Sequence, residues 1–333
     1  MKRAVELPVA EPVYSTYHSQ GNAGAVLTNN MSIRNWYLNQ VMLLCCNRRF
    51  LYGFTTPDIT VDESTDWENP YLERVVFQMK YLGRSIHPVI RSLLDHGYYV
   101  GFSRIDDYYI EGKSWYQEQH YYHDGLISGY DQESRSYSIY AYDQDWIYRS
   151  FRTPQQSFEK GRQAAFREGQ YGLLYGMKPL PDCVELNPQR ICDRLREYLD
   201  SSLDKYPLYT NGLVYGTVVH DYIAMYLNKL ADGSIPYERM DRRVFRLIWE
   251  HKKVMYERIR AVEEKLRFTR EISAEYEALV CEANHLRMLY ASHHLKQRNG
   301  VLPLIRDRLL GLKQTEAQLL TRFLLKTEGE IKK

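Results

Sequence analysis

DDYYIEGKSWYQEQHYYHDGLISGYDQESRSYSIYAYDQDWIY, residues 106–148, gathers His, Asp, Tyr and Trp in a spacing that helical periodicity does not account for. Within it, residues 122–130 place a short apolar centre, Leu126-Ile127, between Gly125 and Gly129, as a strand entering and leaving a sheet does. Asp131-Gln132-Glu133-Ser134 is a polar turn. Beyond it Tyr137, Ile139 and Ala141 alternate with Ser138, Tyr140 and Tyr142, the pattern of a strand with two distinct faces. Residues 121–143 therefore read as a β-hairpin. His123 opens its first strand and Asp143 follows its second, and a hairpin sets such ends side by side. A histidine held by a carboxylate is the half of a catalytic constellation that orients and polarises a base.

Upstream, Tyr98–Arg104 reads as a strand running into Ile105-Asp106-Asp107-Tyr108-Tyr109, and on this pattern Asp106 and Asp107 simply end the strand. The apolar spacing predicts helices over 71–81, over 86–96, and over 33–46 with Ser32 as N-cap. Cys45 and Cys46 fall at the far end of that last helix as core thiols, and residues 1–30 read as an extended arm with one short strand. Downstream, a helix over 155–167 precedes a Gly- and Pro-rich boundary at 168–188, inside which 171–177 is a strand that pairs back onto the first sheet. Helices then follow over 188–199, 215–230, 241–266, 271–297 and 302–325, an antiparallel bundle. The expectation is an α+β domain over 1–175 and a helical domain over 176–333.

With 44% hydrophobic content, 333 residues suffice for one large core or two modest ones. Lys and Arg number 44 against 42 Asp and Glu, so no basic surplus points to nucleic acid. No apolar run approaches the roughly 20 residues that cross a bilayer, and MKRAVELPVAEPVYS lacks the apolar region of a signal peptide. A cytoplasmic protein without membrane association is expected. The five cysteines are dispersed without a CxxC pair, which predicts reduced thiols. His120 and His123 sit three apart on an extended strand and so point to opposite faces, which argues against a metal at these residues and Asp124. No cofactor is expected. The 30 tyrosines concentrate before residue 150, and they suit cross-strand pairs or a stacking cleft.

The HxxHDxLIxGYD pattern from His120 to Asp131, with the Tyr-rich strand and Asp143 after it, resembles the N-terminal domain family of butirosin biosynthesis protein H. The likeness spans roughly residues 15–160, with a looser echo in DRRVFRLIWEHKKVMYERI at 241–259. The resemblance implies a papain-like fold found with nonribosomal peptide and polyketide biosynthesis. Its founding member moves an acyl group from an acyl carrier protein to an aminoglycoside amine with Cys, His and Asp. It implies an acyl or peptidyl carrier protein or a peptide synthetase as partner, and a small-molecule amine as acceptor. Here Ser32 falls where the family has its cysteine, at a helix N-terminus whose dipole favours a nucleophile. The catalytic set implied is then Ser32, His123 and Asp143. Around it Trp36, Asp106, Tyr108, Tyr109, His120, Asp124, Tyr130, Arg242, Glu250 and His251 would contact substrate, and Asp106 to Tyr109 would wall a cleft rather than simply end the strand. The missing cysteine also fits a non-catalytic member that binds a carrier-held intermediate or a partner enzyme. Long amphipathic helices are compatible with a homodimer.

Overall fold

The β-branched and aromatic runs of the first half form strands, and the 3.6-residue patterns of the second half form helices. The computed structural model describes residues 2–27, 31–40, 42–53, 56–61, 69–83, 85–181, 184–201, 212–296 and 300–331; the side chains of Met31 and Ser32 lie outside the description. In chain order come β1 (Ala4–Glu6), α1 (His18–Leu27), α2 (Met31–Asn39), β2 (Leu44–Asn47), β3 (Thr60–Val61), β4 (Leu72–Gln78), α3 (His87–Asp95), β5 (Tyr99–Asp106), β6 (Tyr122–Asp131), β7 (Ser136–Tyr142) and β8 (Tyr148–Pro154). Then follow α4 (Gln155–Arg167), β9 (Leu173–Pro179), α5 (Pro188–Asp200), β10 (Leu213–Tyr215), α6 (Val219–Ala231), α7 (Arg243–Lys265), α8 (Glu271–Lys296) and α9 (Val301–Ile331). The protein is α+β, and it divides into two compact units that interleave in sequence: residues 1–34 with 65–183, and 35–64 with 184–333.

In the first unit seven strands make an antiparallel sheet in the order β4-β9-β5-β6-β7-β8, with β1 beside the far half of β6. β6 and β7 form the expected hairpin, paired from Leu126↔Tyr140 to Asp131↔Ser136. β9, which spans residue 175, pairs with both β4 and β5. One face of the sheet packs Val100, Phe102, Ile127, Ile139 and Leu174 with Ile90 and Leu94 of α3 and Phe158 of α4. α1 packs against β6, β7 and β9.

Helix α1 corrects the reading of residues 1–30 as an extended arm. Its sequence, HSQGNAGAVL, has no amphipathic stripe because every residue except Ser19 is buried. Its glycines are there for close approach: a Cβ at Gly21 would lie 2.6 Å from the Tyr148 ring, and one at Gly24 2.7 Å from Pro12. Asn22 pins the helix to the sheet, donating to the Gly125 carbonyl at 3.3 Å and accepting from Tyr148 Oη at 2.7 Å. The tyrosines hold the rest of the arm. Tyr142 donates to the Ser15 carbonyl at 2.7 Å, Tyr140 to Ala10 at 3.3 Å and Tyr130 to Lys2 at 3.0 Å.

Two further expectations fail. Residues 72–78, expected helical, are β4, a strand paired only with β9 in the sheet order; the Val75-Val76-Phe77 run favours extension. The helix expected over 33–46 starts at Met31 and stops at Asn39, so Ser32 lies inside the helix rather than capping it. Cys45 and Cys46 stand in β2, a strand between β10 and β3 in the second unit. They are core thiols there, and burial pushes the Cys46 thiol up to about 12. The rest of that unit is helical, with α8 packed between α7 and α9.

Candidate functional site

The geometry at His123 starts from a β-bulge. Between Phe102 and Ile105 the pairing of β5 with β6 shifts register, and Arg104 there takes a left-handed φ of 55°. Its amide donates to Asp124 Oδ1 at 3.1 Å. Past the bulge Ile105 pairs with His123 and Asp106 with Tyr122, so the two residues that end β5 lie beside the two histidines. Asp106 is fully buried; its Oδ1 accepts from the amides of Tyr108 and Tyr121, both at 3.2 Å, and its Oδ2 from His120 Nδ1 at 2.7 Å. Asp107 opens a 3-10 turn over 107–109, and its Oδ2 accepts from His123 Nδ1 at 3.2 Å. A carboxylate on Nδ1 assigns the proton to that nitrogen and leaves the Nε2 lone pair as the basic atom. Nε2 has no hydrogen-bond partner among the described residues.

The His123 side chain is 23% exposed, its carboxylate 2%. The first residue of α1 meets it: the His18 and His123 rings stand edge to face with centroids 4.2 Å apart. Tyr142 and Tyr148 contact the His18 ring at 5.3 and 5.7 Å, and Tyr121 contacts His123 at 5.0 Å. Burial holds His18 well below the usual imidazole range, with the neighbouring charges of His123 and Lys113 adding to the effect. Its Nε2 is buried without a hydrogen-bond partner among the described residues. Lys113 is equally enclosed, with Nζ 3.6 Å from Asp107 Oδ1; burial lowers its ammonium, and Asp107 pulls the other way. Burial also raises the Asp124 carboxyl, against the Arg104 amide and the positive charges of His123 and Lys113.

No protein-family model matches this chain, and no curated protein matches it.

The expected site residues separate into three groups. His123, Asp106, His120 and Asp124 converge around the bulge, and Tyr108 stacks on His120 with centroids 4.5 Å apart, with Tyr109 6.2 Å from the same ring. His120 is 57% exposed while Asp106 is buried, so this pair is open to solvent on its imidazole side. Asp143 does not orient His123. It shapes the turn from β7 to β8, with Oδ1 accepting from the amides of Asp145 and Ile147 at 2.9 Å, and it pairs with Arg149. Tyr130 is buried, bonded to Lys2 and to Asp95 Oδ1 at 2.7 Å, and burial with that carboxylate pushes its hydroxyl up to about 12. The Ser32 side chain lies outside the described residues.

Trp36, Arg242, Glu250 and His251 belong to the second unit. Trp36 is buried edge to face on Tyr37, and Arg242 is exposed just before α7. Glu250 is buried and pairs with Arg246 at 3.2 Å. His251 is sealed in the helical core, where Nε2 donates to the Met42 carbonyl at 2.8 Å and Nδ1 lies 3.4 Å from Lys252 Nζ. Lys252 in turn meets Glu316 Oε2 at 2.6 Å, and both side chains are 0% exposed. Tyr198 and Tyr276 donate to the two Glu316 oxygens. Burial alone would raise the Glu316 carboxyl; Lys252, His220 and His251 hold it below its ordinary range.

Sequence reasoning missed His18, Asp107 as the partner of His123, and Lys113. The signal for Asp107 was present in the Asp106-Asp107 doublet, but a register set by a bulge at a non-glycine residue is not written in hydrophobic alternation.

Proposed function

We propose that the sheet unit is a papain-like acyl-transfer domain, taking an acyl group from a carrier-protein thioester and passing it to a small-molecule amine in nonribosomal peptide or polyketide biosynthesis. One observation carries this reading: a histidine fixed by a buried carboxylate meets the first residue of a buried helix laid on an antiparallel sheet. That helix end gathers amide N–H groups suited to a tetrahedral oxyanion. Ser19, half-buried in the first turn of α1, brings a hydroxyl to the same end. His123 Nε2 takes the hydroxyl proton as the oxygen attacks the thioester carbonyl. The carbon–sulfur bond breaks, and the leaving thiolate collects that proton from the imidazolium. An amine then attacks the resulting ester and restores the serine.

Intact mass after incubation with an acyl-pantetheine thioester tests the step. The expected result is one added acyl group, lost in Ser19→Ala and His123→Gln and kept in Ser32→Ala; loss only in Ser32→Ala moves the nucleophile to α2. Transfer to an amine without any adduct marks direct attack on the thioester. A second reading has its own support, because the His18 ring packed on His123 fills the helix end where a nucleophile would work. In that reading the domain binds a carrier-held intermediate or a partner enzyme without turning it over. Retention of the acyl-pantetheine ligand with neither adduct nor transfer selects it.

A further inference from the structure

Asp107 has two oxygens and the proposed base uses one of them. The other faces Lys113, whose backbone is fixed in the turn after the 3-10 segment: its amide donates to the Ile110 carbonyl at 3.2 Å and its carbonyl accepts from Tyr116 at 3.2 Å. The side chain reaches back under the site, 2% exposed, to place Nζ 3.6 Å from Asp107 Oδ1. Both atoms lack a hydrogen bond among the described residues, so the pair is ionic rather than bonded. A buried ammonium is costly to desolvate, and replacing both members of such a pair by packed hydrocarbon is often neutral, so stability alone gives little reason for this one. Its geometry makes sense through the carboxylate: a cation on Oδ1 fixes the plane of Asp107, so that Oδ2 accepts from His123 Nδ1 and the basic lone pair stays on Nε2. The other charged or titratable groups around this pair are His18 on α1 and Asp124 on β6.

We infer that Lys113 is a positioning residue of the site, acting through Asp107 to hold His123 in the tautomer that leaves Nε2 free to take a proton. The inference rests on the reading of His123 as the base, and its test is arranged to fail separately from that reading.

The far-downfield proton resonance of a carboxylate-bound imidazole N–H, assigned to His123 by its loss in His123→Gln, is followed in Lys113→Met. In a folded variant the resonance is lost or moves upfield and the Nδ1 and Nε2 tautomers mix. Acyl transfer falls roughly tenfold or more in kcat with KM little changed, and Lys113→Arg recovers most of both signals. A persisting resonance in folded Lys113→Met overturns the inference. Because that variant removes a buried charge and is at risk of misfolding, the wild-type protein supplies a second measurement: an exchange-protected lysine ammonium signal that disappears in Asp107→Asn. A wild-type protein without that signal also overturns it. Loss of the imidazole resonance in Lys113→Met alongside a wild type that transfers no acyl group sinks the base reading and leaves the positioning role standing.

Discussion

Both units bury a lysine against a carboxylate beside a histidine, yet the two clusters differ in how they are closed. In the helical unit Lys252 and Glu316 are 0% exposed, and every oxygen of the carboxylate has a donor: Lys252 and Tyr198 on one, Tyr276 on the other. In the sheet unit the histidine is partly open and the lysine and carboxylate are too far apart for a hydrogen bond; a buried imidazole Nε2 without a partner among the described residues occurs in both units, at His18 in one and His220 in the other. A saturated, sealed network serves conformational specificity. The cluster at His123 keeps an exposed histidine edge, which the proposed acyl transfer would use.

The largest expected effect lies in the sealed cluster. Glu316→Gln strands the Lys252 ammonium among Tyr198, His251 and apolar helix faces, and denaturant unfolding should show a loss of about 3–5 kcal/mol, whereas Lys252→Met with Glu316→Leu together should cost far less. Equal losses for the single and the double change would break the contrast.

Acid separates the clusters next. Burial, with the charge of Lys252, holds His220 down to about 3 and His251 well below its ordinary value. Their unfolded forms protonate near 6.5, so the unfolded chain binds more protons below that pH and stability falls as pH drops. Between pH 7 and 5 His220, held down to about 3 when folded, removes about 2 kcal/mol. Glu316, held low when folded, adds its own loss only below about pH 4.5. The helical unit holds two histidines lowered by burial, His220 and His251, and the cluster at His123 one, His18, so hydrogen exchange at pH 5 should open the core of α7 and α9 before the sheet. Exchange that opens α1 first would reverse the order.

Packing on the sheet supplies a smaller effect. Gly21→Ala drives a methyl into the Tyr148 ring, and the clash outweighs the helix-propensity gain of about 1 kcal/mol, for a net loss of about 1–2 kcal/mol by thermal melting. Comparable in size, His120→Ala takes the imidazole donor from the buried Asp106 Oδ2 and should cost about 1–2 kcal/mol by the same melting experiment.

What the sequence disclosed follows the same divide. The 3.6-residue periodicity located α3 to α9, because those helices bury one face and expose another, whereas the β6–β7 hairpin, largely buried, was legible from its polar turn, its flanking glycines and the alternation of residue type in β7. α1 and the core strand β2 escaped because almost nothing in them is exposed, so no alternation marks them, and in α1 the glycines mimic a loop. β4 reads as a helix because Leu72, Val75, Val76 and Met79 fall at helical spacing, even though the β-branched pair within them favours a strand. At the site, His123 and its acidic neighbours stood out in 106–148. The choice of Asp107 over Asp143 depended on the bulge at Arg104, and the reach of Lys113 on a turn whose path no periodicity encodes.

The most direct test sets one residue from each cluster side by side in the same thioester-to-amine transfer assay: His123→Gln against the paired Lys252→Met, Glu316→Leu change. The account predicts that the first abolishes transfer at an unchanged melting temperature, while the second moves the melting temperature and leaves kcat within about twofold of wild type. Transfer that survives His123→Gln, or that disappears with the helical pair in a folded protein, contradicts it.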